Sequence, residues 1–256
     1  MNQNGGGQQV VLRSVEDLRG VANPASLRSI RIEADLDATL EIVASTTNAM
    51  ADLYLEVPAL NSTDQLDHAL QAIATQFPIL TRIVVDIISA PPEQSWLKVS
   101  ALGLFDHLEH LVVRCPMPLL LTNEDLQGMI RGWPLIRHLE LNPMGNTAFY
   151  GIQDRLPSLG GVIAAAECGT YLEYLGLCIK PELQIPQVFL SWKKLKYMDF
   201  GRSSGSDADA NKVARILHQA FPPAEYPDLK MVTYIGQSAW VQLLAARFEQ
   251  LRGNLS

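Results

Sequence analysis

His107, His110 and Cys115 lie close together, and two imidazoles beside a thiol are the donor types of a zinc site. Within a strand, residues three apart point to opposite faces, so this spacing fails as a chelate and no metal is expected. The stretch Gly201-Arg-Ser-Ser-Gly205-Ser206 follows a strand pattern and precedes a helix pattern, where phosphate-binding loops sit. It lacks both the Gly-Lys-Ser/Thr ending and the G-x-G-x-x-G spacing, and Asp207 and Asp209 at the helix start would repel an anion. A loop between repeats is the better account. Glu167 beside Cys168 could pair acid with thiol, but a cysteine after an Ala-rich helix reads as packing. No H-E-x-x-H motif occurs. The expectation is a protein without catalytic residues, metal or cofactor.

The elements that would position any site follow from a repeat. The pattern L-x-x-L-x-L, with any apolar residue for Leu, recurs eight times. Its units are Leu27-Ile30-Ile32, Met50-Leu53-Leu55, Leu80-Ile83-Val85, Leu108-Leu111-Val113, Ile136-Leu139-Leu141, Leu172-Leu175-Leu177, Leu195-Met198-Phe200 and Leu229-Val232-Tyr234. The intervals run from 23 to 36 residues and centre near 28, the range of leucine-rich repeats. Three residues before the opening position stands an aromatic in five units: Phe77, Phe105, Trp133, Trp192 and Tyr226. Pro78, Pro134 and Pro227 follow three of these, and proline separates a helix from a strand. The aromatic should plug the corner between the two layers.

Helical periodicity fills the gaps between strands. It covers about Val15–Val21, Asp64–Phe77, Asn123–Trp133, Gly161–Glu167, Ala210–Phe221 and Ala239–Arg252. Ser62 with Gln65, and Thr122 with Asp125, read as N-terminal caps. Strand alternating with helix predicts an α/β leucine-rich-repeat solenoid of the ribonuclease-inhibitor type. It would be right-handed, with a curved parallel sheet inside, helices outside and about eight irregular repeats. Residues 1–11, rich in Gly and Gln, read as a disordered tail, and residues 12–252 as one repeat domain capped by the helix at 239–252. Only the short helix at Val15–Val21 precedes the Leu27-Ile30-Ile32 strand, which in an orphan fragment would be an exposed edge. The column three residues past the last strand position reads Asp35, Pro58, Ile88, Pro116, Met144, Lys180, Ser203 and Gln237. No asparagine ladder is therefore expected, and irregular loops must close the turns.

In each unit the third and fifth positions face the concave surface. The third positions are Ser29, Asp52, Arg82, His110, His138, Tyr174, Tyr197 and Met231. The fifth are Arg31, Tyr54, Val84, Val112, Glu140, Gly176, Asp199 and Thr233. The run His110-His138-Tyr174-Tyr197 would be an amphipathic strip, suited either to binding a protein or to stacking across the sheet. The candidate binding residues are Arg82, His110, His138, Glu140, Tyr174, Tyr197 and Asp199. At the second position, Glu109, Arg137, Glu173 and Lys196 alternate in sign and should pair as a surface ladder.

Composition narrows the function classes. The chain has 256 residues, 48% hydrophobic and 18% charged, which is enough for a large core without staples. A net charge of −7 suits neither nucleic-acid phosphate nor an anionic membrane. No apolar run approaches a bilayer span, and the start has no signal-peptide pattern. Three cysteines without C-x-x-C spacing read as reduced thiols, hence an intracellular protein, cytoplasmic or nuclear.

The segments F-P-I-L-T-R-I (Phe77–Ile83), W-P-L-I-R-H-L (Trp133–Leu139) and T-N-E-D-L-Q-G-M-I-R-G-W (Thr122–Trp133), with Trp240 opening the last helix, resemble fungal F-box/leucine-rich-repeat proteins. The resemblance covers roughly residues 12–252 in style and rhythm. It implies repeats that recruit a protein substrate, while an F-box docks on the adaptor of an SCF-type ubiquitin ligase. The F-box opens with a Leu-Pro-x-Glu type motif, and Met1–Val11 cannot hold one, so the resemblance is to the substrate-recognition half alone. Two other readings stay open. One is a small α/β enzyme whose parallel sheet imitates a solenoid, and the other is an orphan fragment without a stable role.

Overall fold

A computed structural model describes residues 10–21, 27–46, 49–89, 97–117, 119–144, 156–166, 168–169, 171–181, 194–233 and 237–253. The chain runs β1 (Val10–Leu12), α1 (Val15–Arg19), β2 (Ser29–Glu33), α2 (Leu36–Ser45), β3 (Asp52–Ala59), α3 (Thr63–Gln76) and β4 (Arg82–Ser89). It continues through β5 (Leu97–Lys98), a 3-10 turn (Ser100–Leu104), β6 (His110–Arg114), β7 (Leu119–Leu120), α4 (Asn123–Gly132) and β8 (His138–Leu141). The last part comprises α5 (Leu159–Ala166), β9 (Tyr174–Leu177), β10 (Tyr197–Asp199), α6 (Asp207–Ala220), β11 (Lys230–Met231) and α7 (Ala239–Gly253).

Nine strands form one parallel sheet in the order β1-β2-β3-β4-β6-β8-β9-β10-β11, and β5 pairs with β7 separately. Within the nine-stranded sheet each strand lies beside the sheet strand before it in the chain, so the molecule is α/β with crossover connections returning along a single direction. Alternation decides which face is covered. On β2, β3 and β8 every second side chain is buried: Ile30 and Ile32, Leu53 and Leu55, Leu139 and Leu141. Those residues meet the helices, which pack against one another from α1 through α3 to the 3-10 turn, α4 and α5, and again from α6 to α7. Burying each such aliphatic side chain contributes on the order of 1.5–3 kcal/mol. The opposite face carries no helix among the described residues.

Phe77, Phe105 and Trp133 stand at the corners as their spacing predicts, whereas α6 is closed by Phe221, outside that spacing, and not by Tyr226. Phe77 ends α3 at φ −124°, ψ 66°, and Phe105 ends the 3-10 turn at φ −101°, ψ 86°. Trp133 ends α4 at φ −114°, ψ 73°, and Phe221 ends α6 at φ −125°, ψ 69°. Pro78, Pro134 and Pro222 follow three of them, and a proline bars the preceding residue from helical geometry. All four rings are buried between sheet and helices. In the last unit Tyr226 sits edge-on to Phe221, with centroids 5.2 Å apart. Trp192 lies outside the described residues.

Several expectations change. Val10 and Val11 belong to the sheet, not to a tail, and pair with Ile30 and Arg31; residues 1–9 lie outside the described residues. The β2 strand is consequently no edge, because β1 covers it and buries Leu12 completely. A helix unseen in the sequence, α2, starts at Asp35, whose carboxylate accepts from the Ala38 amide at 2.8 Å. At α3 the Ser62 side chain makes no cap bond, and Gln65 instead accepts from the Asn61 amide at 3.0 Å. Reciprocal caps form at Thr122 with Asp125, as expected, and also at Ser14 with Asp17 and Ser206 with Asp209. The last strand slips by one from the sequence pattern: Lys230 pairs with Tyr197, and Met231 turns into the core beside Met198.

Candidate functional site

The uncovered face of the sheet gathers the candidate binding residues. Register aligns Ser29, Asp52, Arg82, His110, His138, Tyr174, Tyr197 and Lys230 in one column across eight adjacent strands. A second column holds Arg31, Tyr54, Val84, Val112, Glu140, Gly176 and Asp199. A third, on the strands that extend furthest, holds Glu33, Glu56, Asp86 and Arg114. The sequence pattern stops at the sixth position of each unit, so this third column was missed. Continued alternation along β2 to β6 was the available signal.

The first column contains a ring stack. His110 lies on His138 with centroids 4.2 Å apart and planes 15° apart, and His138 lies on Tyr174 at 4.3 Å and 9°. Tyr197 continues it at 6.4 Å and 41°. Parallel strands about 4.8 Å apart place equivalent residues at stacking distance, so flat side chains in one column face one another. Burial, His138 and Arg82 push the His110 imidazole down to about 4, and it is neutral at pH 7. The stack leaves ring edges outward; Tyr197 is 44% exposed.

Beside the stack runs a chain of polar contacts. The Tyr54 hydroxyl donates to Asp86, and burial with this bond pushes the phenol up to about 12. Arg114 reaches Asp86 at 3.6 Å and grips both carboxylate oxygens of Glu140 at 2.8 and 3.3 Å. His138 Nε2 lies 3.7 Å from the same carboxylate. Burial alone would raise the Glu140 carboxyl; the bonds from His138 and Arg114 hold it below its ordinary value. Arg31 packs over the Tyr54 ring at 4.3 Å and reaches Glu33 at 2.7 Å and Glu56 at 2.5 Å. Asp199 differs from the expectation of an open carboxylate. It is buried and accepts from the Gly201 amide at 2.8 Å, Gln237 at 3.1 Å and the Tyr174 hydroxyl at 3.2 Å. Burial raises its carboxyl despite those bonds.

A second polar line, also unexpected, closes the strand ends. Asn142, at φ 51°, accepts from the Cys115 amide at 3.1 Å and donates to the Met117 carbonyl at 2.5 Å. Cys178 Sγ lies 3.2 Å from the Pro143 carbonyl, and the Ile179 amide donates to Ser203 Oγ at 2.8 Å. These side chains do the work of an asparagine ladder in a shifted register: Asn142 and Cys178 come one residue after their strand pattern and Cys115 two. Burial pushes both the Cys115 and the Cys178 thiol up to about 12, so neither is a nucleophile.

The other candidate chemistries resolve into packing. Gly201, at φ 50°, presses on Pro143, where a Cβ would lie 1.7 Å from the carbonyl oxygen, and a Cβ on Gly205 would lie 2.6 Å from Trp240 Nε1. Ser203 Oγ is taken by Phe200 and Ile179, so the loop's groups serve the neighbouring turns. His107 is exposed in the turn before β6 and not on the strand. Among the described residues no group of three His, Cys, Asp or Glu side chains could hold a metal ion. Cys168 accepts from Arg131 Nε at 3.2 Å, and Glu167 lies outside the described residues. The strand-start ladder forms as predicted: Arg137 lies 3.5 Å from Glu109 and 4.0 Å from Glu173, which meets Lys196 at 2.7 Å. No helix among the described residues is long and apolar enough to cross a membrane.

Compared with known proteins, the chain matches no family model and no curated protein sequence.

Proposed function

We propose that this chain is a non-catalytic protein-interaction scaffold. In this reading it is a right-handed leucine-rich-repeat solenoid of about eight irregular units, whose concave sheet face binds a protein. Its resemblance to F-box/leucine-rich-repeat proteins makes it the substrate-recognition part of an SCF-type ubiquitin ligase. The observation that carries the reading is the uncovered sheet face with the in-register stack His110-His138-Tyr174-Tyr197. Rings offer contact area at low entropic cost, with polar edges that bond a partner. The eight-strand column supplies an extended surface of the kind on which repeat proteins dock their partners.

The test is a pull-down from the source cell's lysate with mass spectrometry, using the wild-type chain and a His138→Glu/Tyr174→Glu variant of unchanged circular dichroism. Proteins retained by the wild type and lost from the variant are the expected result. Adaptor and cullin among the recovered proteins would support ligase membership. Identical proteins from both baits, or chaperones alone, would overturn the docking face.

A further inference from the structure

The open face satisfies almost all of its own charges, and the exceptions lie together. From β2 to β10, Arg31, Glu33, Glu56, Asp86, Arg114, Glu140 and Asp199 each bond a neighbour. Asp52 and Arg82 do not. They stand opposite each other on β3 and β4, yet neither side chain makes a hydrogen bond or ion pair among the described residues. Between them opens a depression of about 300 Å³, lined also by Ser29, Arg31, Tyr54 and Val84. Arg31 is held to its own strand and to β3 by Glu33 and Glu56, so it cannot swing across to neutralise Asp52 without losing those partners. One column position further along, the ring stack begins at His110.

Resting on the reading of this face as a protein-docking surface, the geometry points to its ligand: an extended polypeptide segment of the partner that crosses the strands along the first column. A basic side chain of that segment pairs with Asp52, and an acidic one with Arg82. The residues that follow lie on the ring edges of His110, His138 and Tyr174. From Asp52 to Tyr174 is four strand spacings, about 19 Å, which an extended chain covers in about six residues. The charges set the direction and register of the segment, because reversing it would set like charges against Asp52 and Arg82. The rings supply the contact area.

A random-peptide phage library panned on the immobilised full chain tests this. Parallel panning uses an Asp52→Arg/Arg82→Asp exchange, which conserves net charge, and the His138→Glu/Tyr174→Glu variant. All three proteins are checked for equal folding by circular dichroism. Expected are wild-type-selected peptides with a basic residue followed or preceded in fixed order by an acidic one. Those peptides should bind the exchange variant about tenfold or more weakly, and panning on that variant should return the opposite charge order. Peptides indifferent to the exchange but lost with the ring variant would overturn this inference and leave the docking face standing. Peptides indifferent to both variants, or no enrichment on the wild type, would overturn both.

Discussion

The β3–β4 region and the β6–β10 region use one parallel sheet to different ends. In β3 and β4 the strands are eight residues long, and the ladder continues through Val57 with Ile87 to Ala59 with Ser89. In the same sheet β6, β8, β9 and β10 have three to five residues. What the shorter strands lack in backbone pairing, Asn142, Cys178 and Ser203 supply by side-chain contacts to the neighbouring turns. The exposed columns divide likewise. The long strands carry charges that pair sideways between columns, whereas the short strands add to one such pair, Arg114 with Glu140, a set of rings that stack along one column. An equivalent position in a parallel sheet is therefore a place of fixed spacing, and the residue type decides whether that spacing is self-satisfying. Flat rings are satisfied by it; Asp52 and Arg82 are not.

The largest effect should come from cutting the turn contacts of the short strands. Asn142→Ala removes the acceptor of the buried Cys115 amide and puts an ordinary residue at positive φ. It should cost about 3 kcal/mol in urea unfolding. Asn142→Gly, free of the backbone strain, should cost about 1 kcal/mol less. Equal losses from both would mean that the φ angle contributes nothing, and no loss would erase the contrast between the two regions.

A smaller effect concerns the stack. The His110 imidazole lies at about 4 in the folded chain against 6.5 as its ordinary value, so the unfolded chain takes up a proton first. Its contribution is intact above about pH 6.5 and is lost as pH falls from there to about 4. Allowing for its partly exposed ring, the loss is about 1–2 kcal/mol. His110→Asn should flatten that part of the stability profile, read as the urea midpoint at pH 7, 5.5 and 4. An unchanged slope would place His110 outside the region's proton uptake.

The smallest effect belongs to the strand-start ladder. Lys196→Met should leave the urea midpoint unchanged, because its partner Glu173 is solvent-facing and salt-screened. A clear drop would show that this ladder fastens the short strands as the turn contacts do.

Much of this architecture could be read before any coordinates. The aromatic-to-leucine spacing placed Phe77, Phe105 and Trp133 at buried corners, and the L-x-x-L-x-L positions brought His110, His138, Tyr174 and Tyr197 into one column. Both are local consequences of side-chain alternation and of proline's effect on its predecessor. The helix α2 escaped notice because Asp35 entered only as a member of the column past the strand, though it caps that helix. Position along the chain does not say which backbone amide a short polar side chain will reach.

By itself, then, the sequence determined the alternation of strand and helix, the direction of each strand's apolar face and the first column as far as Tyr197, because these depend on periods of a few residues. Only the tertiary structure decided that β1 shields β2, that Asp199 is buried, that Arg114 joins Asp86 to Glu140, and that Asp52 and Arg82 find no partner among the described residues. Each of those depends on where side chains from segments distant in sequence meet, and that geometry exists only once the neighbouring strands are in register.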